Sequence, residues 1–317
     1  MQNPQKRATL VSSTVATVLV LFKLITGILS GSVAILASAI DSLLDLCVSL
    51  FNYFALHTAG LPPSETFNYG KGKIEALACV VEGSMIIISA FFILYQSVKK
   101  IYLGEELEYV GESIVVMAIC LLITFALVCY LRAVAKKTNN LVIKADSLHY
   151  QTDLLSNGAV LLALAIVHFS GWSMIDGIFG VAIACYIAYS AIGLLKEGVC
   201  MLFDRAMDAE MVAAIQKILS ENQEIISFHG FKTRQSGNYH FCEIHLVFPS
   251  NISLLQAHDI THKIEDEIQN LRPDVRWEIM THLDPYDDAS EDAMRKQKAP
   301  HSHTLCHLST TKDDKHA

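Results

Sequence analysis

Neither H-E-x-x-H nor C-x-x-C occurs in the 317 residues, and no catalytic-type aspartate motif follows a G-x-G turn. The hydrolytic-metal and dithiol chemistries that need those spacings have no carrier here. An intramembrane hydrolase therefore lacks its motif, and the chain reads as not an enzyme. Charge is sparse as well. Asp, Glu, Lys and Arg make up 18% of residues and the net charge is −8, which argues against a nucleic-acid partner. No Lys or Arg stands in the short connections at 30–32 and 170–173. Six cysteines (Cys47, Cys79, Cys120, Cys129, Cys185 and Cys200) lie in apolar stretches, where a free thiol packs as a small hydrophobe.

Apolar residues are what the chain has in abundance: 52% of the sequence, with a mean hydropathy of +0.37. They fill residues 9–200 and thin out afterwards, which predicts a membrane domain followed by a soluble one. Six segments are long enough to span a bilayer: 9–29, 33–57, 74–99, 112–135, 146–169 and 174–200. The first has no A-x-A-like end, so it reads as a helix rather than a cleavable signal. Lys6, Arg7, Lys71, Lys73, Arg132, Lys136, Lys137 and Lys144 flank one set of span ends. On the other set Lys99 and Lys100 are offset by Glu105, Glu106, Glu108 and Glu112. The positive-inside rule then places both termini in the cytoplasm of a multi-pass protein of the inner (plasma) membrane. Cys242 and Cys306 are expected to be reduced thiols there.

Past the last span the pattern changes. Residues 208–221 and 253–271 read as helices, 224–234, 239–248 and 275–284 as strands, and QSGN (235–238) as a hairpin turn. The expected fold is therefore a six-helix α-helical membrane protein with a C-terminal cytoplasmic α+β domain of order αββαβ, an open sheet of the metallochaperone-like kind. Its expected divisions are a cytoplasmic N-terminus (1–8), a transport domain (9–203), a metal-binding and dimerisation domain (204–290) and a disordered tail (291–317).

Four ionisable residues sit where lipid disfavours them: Asp41 and Asp45 in the second apolar segment, His149 and Asp153 in the fifth. Members of each pair are four apart and so share a helix face. An aspartate at mid-bilayer costs roughly 2.5–3.5 kcal/mol on insertion scales. Lys23 in the first span is the obvious basic partner, and one lysine does not neutralise three aspartates. A divalent cation held between the two helices does. Four N/O ligands suit tetrahedral Zn²⁺ and, without sulfur, disfavour copper(I). Fe²⁺, Cd²⁺ and Co²⁺ accept the same donors. An imidazole, with its ordinary pKa of about 6.5, also exchanges a proton for a metal near neutral pH.

The motifs S-x-x-D-x-x-x-D (38–45), G-K-x-E-A-L (72–77) and A-D-S-x-H-x-x-x-D (145–153) together resemble the cation diffusion facilitator family. DRAMD (204–208), TRQSG (233–237) and QAH (256–258) bring the resemblance nearer to its bacterial zinc/iron efflux branch. It covers about residues 9–286. It implies a homodimer in the lipid bilayer that exchanges a divalent metal for protons by alternating access. The alternatives within it are export of Fe²⁺, Cd²⁺ or Co²⁺, or a non-transporting metal-sensing partner subunit. On it, Asp41, Asp45, His149 and Asp153 match the transport site, and Lys73 and Asp204 match a charged interlock at the dimer contact. His229, His245, His258, His282 and Asp284 match a cytoplasmic site where metal bridges ligands across the dimer. His282 and Asp284, two apart on a strand, point to one face.

One departure stands out. The loop S-E-T-F-N-Y-G-K-G-K (64–73) has Phe67 and Lys71 where relatives carry metal-binding histidines, so no metal site is expected there, Glu65 alone being insufficient. His262, four after His258, faces the same way but has no counterpart in the motif. His57 and His168 read as interfacial side chains, and His301, His303, His307 and His316 as scattered tail residues. Glu82 has two open readings, a packing acid bonded to a neighbouring helix or a lining of the cation path.

Overall fold

A computed structural model describes residues 4–30, 33–103, 111–170 and 174–287. The expected disordered tail, with its histidines and Cys306, lies outside the described residues, as do the connections 31–32, 104–110 and 171–173 and the side chain of His168. The chain divides into two compact units, Met1–Leu202 and Phe203–Ala317.

Among the described residues the first unit holds six helices: α1 (Pro4–Ser30), α2 (Val33–Ala59), α3 (Lys73–Leu103), α4 (Gly111–Thr138), α5 (Leu141–Ser170) and α6 (Met174–Leu202). Five of them are long and apolar enough to cross a membrane by length and composition. The other, α5, carries Lys144, Asp146, His149 and Asp153 in its first half. Each helix overruns its apolar segment; α5, like α1, begins five residues early, before the run counted from 146. For α5 the reason is a cap. Asn140 Oδ1 accepts from the backbone N–H of Val142 (3.0 Å) and Ile143 (3.2 Å), two of the donors a helix start leaves unpaired. Its Nδ2 donates to Glu75 Oε2 at 2.7 Å, fastening the start of α5 to α3. Helix α3 packs along α6 and α1 along α2. Small residues permit the first of these approaches. A Cβ on Gly198 would meet Val80 Cγ2 at 3.0 Å, and Ala76, Cys79 and Ala191 are wholly buried nearby.

The second unit runs α7 (Ala209–Glu221), β1 (Ser227–Ser236), β2 (Tyr239–Val247), α8 (Leu254–Leu271) and β3 (Arg276–Asp284). Asp208 caps α7 by accepting from Met211 N, and Ser253 with Gln256 forms a capping box on α8. The sheet order is β1-β2-β3, antiparallel for the hairpin and parallel for β2 with β3, with α8 as the crossover. Strand β1 continues to Ser236, so the turn is only Gly237–Asn238, with φ +57° at Gly237. Alternation along β2 sends Cys242, Ile244 and Leu246 into a core with Ile215, Leu219, Ile260, Ile264 and Ile268 of the two helices. The same alternation turns His245 to the opposite face.

Candidate metal centres

In the first unit a cavity of about 430 Å³ is walled by α1 to α5. Asp45, His149 and Asp153 meet on its wall, each offering a ligand atom, all within 4.8 Å of one another. His149 Nε2 lies 3.1 Å from Asp45 Oδ1 and 4.0 Å from Asp153 Oδ2. Asp153 Oδ2 is buried and accepts no hydrogen bond among the described residues. An acceptor in that position fits a site built for a cation. Asp41 lines the same cavity one turn before Asp45, outside the trio. Lys23 also lines it and donates to Ser42 Oγ (2.7 Å) and Ser38 O (3.3 Å).

Two polar contacts fix α2 against α5 so that the trio meets. Ser49 and Tyr150 share a buried hydrogen bond of 2.7 Å, one turn beyond Asp45 and next to His149. Deeper still, Asn52 Nδ2 donates to Glu82 Oε2 at 3.0 Å and, more weakly, to Asp146 Oδ1 at 3.4 Å. All three residues are almost fully buried. Glu82 is not among the residues lining the cavity, so of its two readings the structure shows the acid bonded to a neighbouring helix. Asn52 and Asp146 were not singled out from the sequence. The signal was there: Asp45, Ser49 and Asn52 recur at helical spacing, as do Asp146, His149 and Asp153.

The second unit gathers its histidines by register. His229 pairs with His245 across β1 and β2, and His245 with His282 across β2 and β3, so three imidazoles stand in one row on the sheet face away from the helices. Ring centroids are 4.8 Å apart at each step. Asp284, 6% exposed, sits among them. Its Oδ2 lies 3.0 Å from His245 Nδ1 and 3.5 Å from His229 Nε2, and its Oδ1 2.5 Å from His282 Nδ1. His229, His245 and Asp284 converge closely enough to hold one ion, with His282 beside them. A carboxylate reaching three imidazoles fits a bridging ligand. Asp287, bonded by Ser227 Oγ at 3.0 Å, lies 3.9 Å from His229 Nδ1 and was missed as a further acid of this face. The bulge between His229 and Lys232 makes room for the row: Gly230 has φ +61°, and a Cβ there would meet His245 Cδ2 at 2.5 Å.

His258 stands apart from this row within one chain, because α8 packs on the other face of the sheet. Its Nε2 lies 3.1 Å from His262 Nε2, and His262 Nδ1 lies 3.2 Å from Glu265. Lys73, in the first unit, donates to Leu202 O at 3.1 Å, and Asp204, in the second, accepts from Arg234 at 3.4 Å. In the loop before α3, Lys71 Nζ lies 4.5 Å above the Phe67 ring, so these two side chains make a cation–π contact with each other. Elsewhere in the second unit, burial and the Arg272 charge bring the His240 imidazole down to about 4, and burial pushes the Cys242 thiol up to about 12.

Residues 9–203 match the family model described as the cation efflux transmembrane domain, and residues 207–286 the one described as the cation efflux protein, cytoplasmic domain. The cation-efflux pump FieF of Klebsiella pneumoniae is 37% identical over 279 residues, 88% of this chain and 92% of that protein. FieF of Shewanella oneidensis is 35% identical over 280 residues, 88% and 94% of the respective chains. Among solved structures, the metal-bound C-terminal domain of the CzcD transporter from Thermotoga maritima shares 25% identity, with a TM-score of 0.23, over 25% of this chain and 94% of that one. The chain thus belongs to the cation efflux, or cation diffusion facilitator, family of multi-pass membrane transporters, with a helical transmembrane domain followed by a cytoplasmic α+β domain.

Proposed function

We propose that the protein exports a divalent cation, Zn²⁺ foremost, in exchange for protons across the inner (plasma) membrane. It works as a homodimer with both termini in the cytoplasm. Residues 9–203 form the transport domain and 204–290 the metal-binding and dimerisation domain. The observation that carries this reading is the convergence of Asp45, His149 and Asp153 from two helices on one intramembrane cavity. Carboxylate oxygens and an imidazole nitrogen at these separations close round a tetrahedral ion with little movement. Asp41, one turn along the wall, supplies the fourth ligand when α2 shifts towards α5. Rocking of the helices then opens the cavity outward. Protonation of His149 and of a carboxylate releases the ion and drives the return, since each of these ligands binds metal only when deprotonated.

The cytoplasmic row, His229, His245, His282 and Asp284, would hold a second metal ion that supplies charge to cross-link the unit rather than cargo. His258 joins it from the partner subunit, and Lys73 with Asp204 forms the charged interlock of the dimer. Metal there favours one arrangement of the pair and so couples cytoplasmic metal level to transport.

The coordination argument is tested at His149. Replacing it with Asp makes the site all-oxygen, which favours harder ions. His149→Asp is expected to raise Mn²⁺ flux relative to Zn²⁺ flux in reconstituted vesicles by about tenfold or more. An unchanged ratio would break the argument that the imidazole sets selectivity.

A further inference from the structure

Lys23 lies on α1, in the wall of the cavity that also presents Asp41, Asp45, His149 and Asp153. An ammonium inside a membrane helix ordinarily takes a carboxylate as its partner. Here it does not. Both hydrogen bonds from Nζ go to neutral oxygens of α2, Ser42 Oγ and Ser38 O. Ser42 is 2% exposed and adjoins Asp41 in sequence, so the tether is a fixed point on a rigid helix. The charge is therefore held beside the aspartates without being tied to any one of them.

The balance of charge gives this position meaning. Three ionised aspartates against one ammonium and a neutral imidazole leave two negative charges, the number that a single divalent ion neutralises. Coulomb interaction falls only as the inverse of distance, so Lys23 need not touch the ion. Across a cavity on the order of 10 Å wide, a unit charge acts on a dication by several times thermal energy even at the effective dielectric of protein. A conducting site must bind well enough to fill and weakly enough to empty. Three aspartates without a counter-charge would retain a dication.

We propose that Lys23 is a specificity-determining residue of the transport cavity: a fixed positive charge, held by Ser38 and Ser42, that matches three aspartates to one divalent ion and keeps that ion releasable. This rests on the reading of the cavity as the transport site. Lys23 acts on the ion through space and is not a ligand.

The test is Zn²⁺ flux in proteoliposomes containing the full-length protein, with Lys23→Met, Lys23→Gln and Lys23→Arg beside wild type and Asp45→Ala. Met keeps the bulk without charge, Gln keeps hydrogen bonding to α2 without charge, and Arg keeps the charge. Met and Gln are each expected to lower KM by about tenfold or more and to lower maximal flux by a similar factor, while Arg stays within about threefold of wild type. Should one neutral variant fail to insert, the other carries the same expectation. KM unchanged within about twofold, or raised, in the neutral variants overturns the proposal, because a merely structural tie between α1 and α2 does not tighten ion binding. Asp45→Ala separates the two levels. If it is silent and the Lys23 variants behave like wild type, only the role of Lys23 fails. If it still transports, the transport-site reading fails, and the role of Lys23 with it.

Discussion

At the scale of single residues, Gly230 shows how closely the cytoplasmic row is fitted. Its left-handed backbone and the 2.5 Å approach of a would-be Cβ to the His245 ring leave no space for a side chain. Gly230→Ala is expected to cost about 1–3 kcal/mol of stability and to weaken metal binding at the row about tenfold, read by unfolding and metal titration of the full chain. Unchanged affinity would show that the ring position is immaterial. His240 makes a second prediction. Its folded value, about 4, lies below the ordinary 6.5, so the unfolded chain binds more protons between those values. The stability this neutral, buried imidazole contributes is complete above about pH 6.5 and falls as pH drops towards 4. Denaturation followed by Trp277 fluorescence in a Trp172→Phe background should show a loss between pH 7 and 5 that His240→Phe, which keeps a ring against Trp277, largely removes. Equal losses in both proteins would assign the pH dependence to another group.

Between elements, the pairing of α2 with α5 is what brings Asp45, His149 and Asp153 together. A stripe of Asp45, Ser49 and Asn52 meets a stripe of Asp146, His149, Tyr150 and Asp153, and two polar contacts set the rotation of one helix against the other. Asn52 matters most among the neutral residues, because it donates to two buried carboxylates from different helices. Asn52→Leu leaves Glu82 and Asp146 without that donor and is expected to cost about 1–3 kcal/mol, seen as a lower melting temperature of the detergent-solubilised protein. A melting temperature equal to wild type would mean that packing alone aligns the helices. These supports explain what the sequence did and did not make legible. The acid pairs stood out because a charge four residues from another in an apolar run has few explanations. Asn52, Asp146 and the Asn140 cap were hidden because their meaning depends on partners on other helices, and an apolar count starts a helix only where lipid-facing residues begin. His258 was grouped with the sheet row on motif alone, and the crossover geometry that separates it within one chain is not written in local pattern.

For the molecule as a whole, the order of elements was readable from hydrophobic period: six long apolar runs, then αββαβ. Cross-strand register was not, yet it is register that turns His229, His245 and His282 from three separate residues into one row. Each unit gathers a cluster that could hold a metal ion, a trio between two helices in the first and a row on the sheet in the second, and the proposed function takes the first for cargo and the second for cross-linking. The central claim is that protons and a divalent cation exchange through the trio. It is tested most directly by Zn²⁺ flux into proteoliposomes under an imposed pH gradient, wild type against Asp45→Ala. Exchange through Asp45, His149 and Asp153 predicts flux that follows the gradient in wild type and vanishes in the variant, with the dimer intact. Gradient-driven flux that persists in Asp45→Ala, or no flux of Zn²⁺, Fe²⁺ or Cd²⁺ in wild type, would contradict it.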